Sequence, residues 1–128
     1  MTGVVLDSSA VLAMLRQEPG GDAVADHLGS AIISAVTLQE VAREMFREGA
    51  PANLVRASLD ALGLDVRAHD TDAAYGAAEL FESTKKHGSG LGDRSCMALG
   101  LQLALPVLTT DREWTKVELE GLELRHVR

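Results

Sequence analysis

Rings and sulfur are scarce in this chain. Aromatic residues make up 3% of its 128 positions, and Cys96 is its one cysteine. A lone cysteine excludes an intrachain disulfide and predicts a small buried hydrophobe. The four histidines, His27, His69, His87 and His126, show no zinc spacing. A core without rings must be built from many aliphatic contacts, as helices on a sheet provide. Long apolar runs are missing too. Val4-Val5-Leu6 stops at Asp7, too soon for a signal peptide, and no stretch approaches membrane-spanning length. The expectation is a cytoplasmic chain with no membrane contact. Positive charge is short as well, with 12 Lys and Arg against 19 Asp and Glu, a net charge of −7. Such a balance argues against a partner held only by neutralising phosphates. That argument fails if some carboxylates hold divalent cations, because a bound cation reverses the local charge.

What remains alternates between short apolar runs and helical patterns. Val4–Leu6, Ala31–Ile33, Leu64–Val66, Val107–Thr109 and Leu122–Val127 read as strands. Between them helices are predicted at about 10–15, 22–28, 34–48, 53–62, 70–86 and 93–105, punctuated by Pro19-Gly20-Gly21, Gly49-Ala50-Pro51, Gly63 and Pro106. The stretch 70–86 reads as one long helix with Ala73, Ala77, Leu80 and Phe81 on one side. The pattern predicts one α/β domain over residues 1–128, with a central parallel sheet of about five short strands and helices on both faces.

In open parallel sheets, ligands bind outside the carboxyl ends of the strands. Asp7 follows the first strand, and Ser34 the second, with Glu40 two turns into the next helix. Asp111 follows the fourth strand, and Asp93 opens the apolar helix feeding into it. Each acid has an ordinary structural explanation. Asp7, Asp93 and Asp111 stand where Asp caps helices, Thr37-x-x-Glu40 has capping-box spacing, and Glu44 reads as a solvated surface residue. Together they imply more. Four converging carboxylates repel one another, and a divalent cation relieves that repulsion. Hard oxygen donors select Mg²⁺ or Mn²⁺, with positions left for water and phosphate oxygens. The implied chemistry is phosphodiester hydrolysis by a metal-activated water. No Gly-x-Ser-x-Gly elbow supports a serine nucleophile. The run Gly88-Ser89-Gly90-Leu91-Gly92 follows no predicted strand and lacks the P-loop lysine, so it reads as a flexible lead-in to the helix of Asp93.

Four blocks of the chain resemble the PIN-domain family, and its VapC-type toxins in particular. They are Val4-Val5-Leu6-Asp7-Ser8-Ser9-Ala10, Ile33-Ser34-Ala35-Val36-Thr37-Leu38-Gln39-Glu40-Val41, Leu91-Gly92-Asp93-Arg94-Ser95-Cys96-Met97-Ala98-Leu99 and Pro106-Val107-Leu108-Thr109-Thr110-Asp111-Arg112-Glu113-Trp114. The resemblance implies that Asp7, Glu40, Asp93 and Asp111 are catalytic acids binding Mg²⁺ or Mn²⁺, supported by hydrogen bonds from Ser8 and Thr109. It implies an endoribonuclease acting on RNA, the toxin of a type II toxin–antitoxin module. Its partners would be a VapB-type antitoxin, whose tail covers the cleft, and a second copy of the chain in a homodimer. Arg94 and Arg112 adjoin two of the acids and are the better candidates for RNA contact. Glu113 reads equally well as a first-turn helix acid.

A different class also combines a small acidic α/β domain with Mg²⁺, the response-regulator receiver. A receiver would show paired acids at the first strand, an Asp after the third and a lysine near the last. This chain has Val5-Leu6 before Asp7, Val66-Arg67-Ala68-His69 at the third strand, and no lysine in 122–127.

Overall fold

The computed structural model describes residues 2–128. Five strands, β1 (Val4–Leu6), β2 (Ala31–Ser34), β3 (Asp65–Arg67), β4 (Val107–Thr109) and β5 (Leu124–His126), form one parallel sheet in the order β3-β2-β1-β4-β5. The chain winds outward from β1 through β2 to β3, then crosses back to place β4 on the other side of β1. The direction of winding therefore reverses between β1 and β4, which is where such sheets bind ligands. A receiver-type sheet has its third strand beside the first. Here the fourth strand holds that place, and the receiver alternative is excluded.

Alternation along the strands sorts the core into two layers. Val4, Leu6, Ala31, Ile33 and Leu108 face α1 (Ser8–Leu15), α2 (Gly21–Ala25), α3 (Ala35–Arg47) and α4 (Ala52–Asp60), which contribute Ala10, Val11, Val24, Val41, Val55 and Leu59. Val5, Ile32 and Val107 face the opposite way and meet Cys96, Met97, Trp114 and Val117. The three central strands are buried on both faces, which is why they read as unbroken apolar runs. The edge strand β3 is largely exposed and reads weakly for the same reason.

The expected long helix at 70–86 is broken. It forms α5 (Thr71–Ala78), α6 (Phe81–Thr84) and a 3₁₀ turn, Lys85–His87. Ala77 is buried and Leu80 packs on the second layer, whereas Phe81 is half exposed. The bend buries Thr84, whose hydroxyl donates to the Leu80 carbonyl at 2.7 Å. Packing against α7 (Leu91–Leu103) overrides the helical propensity of the segment. α7 itself starts two residues earlier than its apolar pattern announces, with Gly90 as N-cap. Among the described residues, no helix is long and apolar enough to cross a membrane.

Candidate functional site

The last residues of the strands form a row across the carboxyl edge of the sheet. Ser34 pairs with Arg67, and Thr109 with His126. One step beyond the Leu6–Leu108 pair and two beyond Val5–Ile32, Asp7 lies level with Thr109 on one side and Ser34 on the other. Asp7 thus stands at the winding reversal, as first-strand placement required.

Its carboxylate is buried, 4% exposed, and held from several sides. As N-cap of α1 it accepts the Ala10 amide at 2.8 Å. The Ser9 hydroxyl lies 2.8 and 2.9 Å from its two oxygens, and Thr109 donates to Oδ2 at 2.5 Å. Burial raises the Asp7 pKa from 3.8 to about 6, against these hydrogen bonds, and the negative charge of Asp93 pushes it the same way. Ser9 in turn accepts the Thr110 amide and Thr109 accepts the Asp111 amide, both at 3.0 Å. The segment after β4 is therefore tied to the end of β1 through two hydroxyls. Ser9 was missed in the sequence. Ser8, the serine singled out there, stabilises the charged form of Glu40 instead. The helical turn that aims the first hydroxyl toward α3 aims the second at Asp7. Two adjacent serines after a strand-ending Asp signal that one will cap or brace it, but not which.

Glu40 owes nothing to capping. Ser34 caps α3 by accepting the Val36 amide at 3.1 Å, which puts Glu40 beyond the first turn, and the Thr37 hydroxyl is buried without a hydrogen-bond partner. The capping box suggested by Thr37-x-x-Glu40 does not form. Glu40 points at the start of α7 instead. A methyl group on Gly92 would overlap its carboxylate, so glycine at 92 is what lets the two helices bring Glu40 beside Asp93. Burial raises the Glu40 pKa, the Asp93 charge raises it further, and Arg43 and Ser8 oppose.

Asp93 is the hub. It is the third residue of α7, where its Oδ2 accepts the Gly90 amide at 3.1 Å, so it closes the helix start from inside rather than as N-cap. Its pKa is raised by burial, then by the charge of Asp111, against the Gly90 hydrogen bond and the nearby Arg94. Asp111 caps a 3₁₀ turn, Arg112–Lys116, accepting the Glu113 amide at 3.0 Å, and buried Trp114 pins that turn to the core. Among the described residues none of the four acids has a Lys, Arg or His within ion-pair distance, whereas Glu44 pairs with Arg43 and Arg47, and Glu113 with Lys116.

The donor set suits a hard divalent cation: oxygen only, with carboxyl pKa values at Asp7, Glu40 and Asp93 that burial raises and a cation would lower. No three acidic, histidine or cysteine side chains among the described residues form a ready-made metal cage.

The two arginines differ. Arg94 is engaged within the molecule, donating to Thr84 Oγ1 at 3.1 Å and to the Ser89 carbonyl at 2.7 Å, 5.0 Å above the Phe81 ring. It fastens the 84–90 segment to α7, so as a candidate for RNA contact it is already engaged within the molecule. Arg112 is exposed and, among the described residues, unpaired with any carboxylate. Cys96 is buried, its thiol donating to the Leu6 carbonyl at 3.6 Å, and burial holds its pKa well above the usual thiol value. It is an inert core residue, as expected.

No curated protein matches the chain in sequence. Among solved structures, a chain of the DNA-bound VapBC of Salmonella typhimurium superposes with a TM-score of 0.74 at 19% identity, covering 100% of both chains. One from the DNA-bound VapBC2 of Rickettsia felis gives 0.74 at 14%, over 99% of this chain and 100% of that one. VapC20 of Mycobacterium tuberculosis, described as a sarcin–ricin loop cleaving toxin, gives 0.69 at 16%, over 88% and 93%. Residues 4–119 match the PIN domain family, a span that includes Asp7, Glu40, Asp93 and Asp111. The chain belongs to the PIN domain family.

Proposed function

We propose that this protein is a Mg²⁺- or Mn²⁺-dependent endoribonuclease, the toxin of a VapBC-type toxin–antitoxin pair. One observation carries the reading: Asp7, Glu40 and Asp93 are all raised in pKa by burial, Asp93 links the other acids by its charge, and among the described residues none of them has a cation within ion-pair distance. Four acids arranged in that way are costly to a fold that does not use them. A bound divalent ion would activate water for attack and stabilise charge growing on the phosphorus centre. The chain's own part is to hold Asp7 rigid through Ser9, Thr109 and the Ala10 amide, and to keep Glu40 and Asp93 beside it. Preorganisation of that kind is how a hydrolase of phosphodiesters gains most of its rate. The fold shared with VapC20, itself described as cleaving the sarcin–ricin loop, supports RNA as substrate.

The likeness to chains of VapBC complexes supports a VapB-type antitoxin as partner. So does an apolar groove between α3 and α4, lined by Leu38, Ala42, Phe46, Val55 and Leu59, with Phe46 50% exposed. Tyr75 on α5 and Leu91 on α7 stand 71% and 82% exposed, which supports a homodimer.

The test is cleavage of pooled cellular RNA in Mg²⁺ or Mn²⁺ by the wild type and by Asp93→Asn, in which the amide oxygen can still accept from Gly90. Discrete cuts by the wild type alone, lost in EDTA, are expected. Equal cutting by a folded Asp93→Asn, or cutting that survives exhaustive chelation, overturns the reading.

A further inference from the structure

The acid cluster opens on one side into a polar cavity of about 450 Å³, lined by Ser9, Thr110, Asp111, Arg112, His126 and Arg128. Two of these touch the candidate centre directly: Ser9 braces Asp7, and Asp111 is one of the four acids. The others are mostly cationic or hydrogen-bonding, in a chain whose overall charge is −7. Arg112 is presented by the 3₁₀ turn that Trp114 anchors, adjacent to Asp111. Arg128 reaches the cavity because the chain end is held against the 18–20 turn. Its Nε donates to the Pro19 carbonyl at 3.3 Å, and Gly20, at φ +92°, lies so close to the Val127 carbonyl that a side chain there would overlap it. Its ion pair to Glu18, the one found among the described residues, is long, at 3.5 Å, and exposed. His126 sits in the edge row, level with Thr109 and two strands from Asp7, and its Nε2 is buried without a hydrogen-bond partner. An unpaired buried ring nitrogen is rare and costly, and beside a cavity it marks a place for a polar ligand.

We infer that this cavity is the subsite for a backbone phosphate of the RNA strand, next to the phosphodiester that is cut. Arg112 and Arg128 supply the charge, and His126 a directional hydrogen bond. The inference rests on the ribonuclease reading and extends it. It also accounts for how so acidic a protein holds a polyanion: the metal centre takes one phosphate and an isolated basic pocket beside it takes the next. On the Glu40 side of the centre Arg94 is engaged with Thr84 and Ser89, and Arg43 makes a long, exposed pair with Glu44. The cavity with two arginines lies on the β4–β5 side.

The experiment measures binding of a fluorescent single-stranded RNA by Asp93→Asn protein, which is expected not to cut it, across a range of salt. Arg112→Gln and Arg112→Gln/Arg128→Gln are compared in that background, with Arg56→Gln, an exposed residue of α4, as a control for net charge. Each phosphate contact removed lowers the slope of log affinity against log salt by about 0.7 on single strands. The double variant is expected to lose roughly twice that and to bind at least tenfold more weakly, with Arg112→Gln alone intermediate and Arg56→Gln unchanged. Slopes and affinities in folded variants equal to those of Asp93→Asn alone, or a loss just as large in Arg56→Gln, overturn the subsite. Cleavage by the wild type separates the two failures: if RNA is cut and the slopes are unmoved, only the subsite falls. If the wild type neither cuts nor binds RNA, the ribonuclease reading falls and takes the subsite with it.

Discussion

The hydroxyl of Thr109, the last residue of β4, donates to the carboxylate of Asp7, just past the end of β1, across 2.5 Å, and accepts the amide of Asp111. One buried hydroxyl thus connects two of the four acids. Thr109→Val keeps the shape but leaves the Asp111 amide unpaired and Asp7 with one donor fewer. Unfolding in urea should show a loss of about 1–3 kcal/mol, and cleavage should fall with it. Thr109→Ser should recover most of both. A fully stable, fully active Thr109→Val protein would show that the hydroxyl holds nothing.

The raised pKa of Asp7 has a direct consequence for the metal-free protein. The folded state holds a proton on Asp7 up to about pH 6, whereas the unfolded chain releases it near 3.8. Folding is therefore favoured by this group below pH 3.8, and the contribution is lost as pH rises through about 6. A shift of this size corresponds to about 3 kcal/mol at most. Glu40 and Asp93 are raised too and act in the same direction. Urea unfolding in EDTA between pH 4 and 8 should show wild-type stability falling relative to Asp7→Asn, which cannot ionise there and remains a competent cap. Parallel curves for the two proteins would contradict the burial of a costly charge.

Metal should reverse that cost. Adding Mn²⁺ at pH 8 should raise the melting temperature of the wild type, because a ligand bound only by the folded state stabilises it. The increment should be small or absent in Asp7→Asn, and cleavage should be abolished. An undiminished increment and full activity in that variant would place the ion elsewhere.

Gly92 lies under the Glu40 carboxylate. Gly92→Ala improves helix propensity within α7, worth up to about 1 kcal/mol, yet must push Glu40 away. Activity should fall roughly a hundredfold, as expected for a displacement of about 1 Å at a reacting centre, while stability changes far less. Unaltered steady-state cleavage by Gly92→Ala would remove Glu40 from the centre.

Arg94 separates a structural from a substrate-binding role. Its bonds to Thr84 and Ser89 predict that Arg94→Ala loosens residues 84–90 and costs about 1–2 kcal/mol. Hydrogen exchange of the amides in that segment should accelerate. If exchange is unmoved and the salt dependence of RNA binding drops instead, Arg94 serves the substrate.

Local sequence was enough to establish the layer architecture and to put Asp7 at the carboxyl edge of the sheet. Apolar runs such as Val4–Leu6 and Val107–Thr109 can only be strands buried on both faces, and an acid at the end of such a run falls at the carboxyl edge whatever the loops do. It could also place Cys96 in the core, since an unpaired cysteine within so apolar a stretch has little else to do. Tertiary structure decided what depends on residues distant in the chain. Which serine braces Asp7 is bound up with Thr109, 102 residues from Asp7, whose hydroxyl meets both Ser9 and the carboxylate. Whether Arg94 is free or engaged follows from the bend at Leu80, which brings Thr84 and Phe81 beneath it. Whether Thr37-x-x-Glu40 caps a helix or frees Glu40 depends on Ser34 having already capped it. In each case two partners of similar local propensity compete, the difference between them is about the strength of one hydrogen bond, and only the packing of other elements tips it.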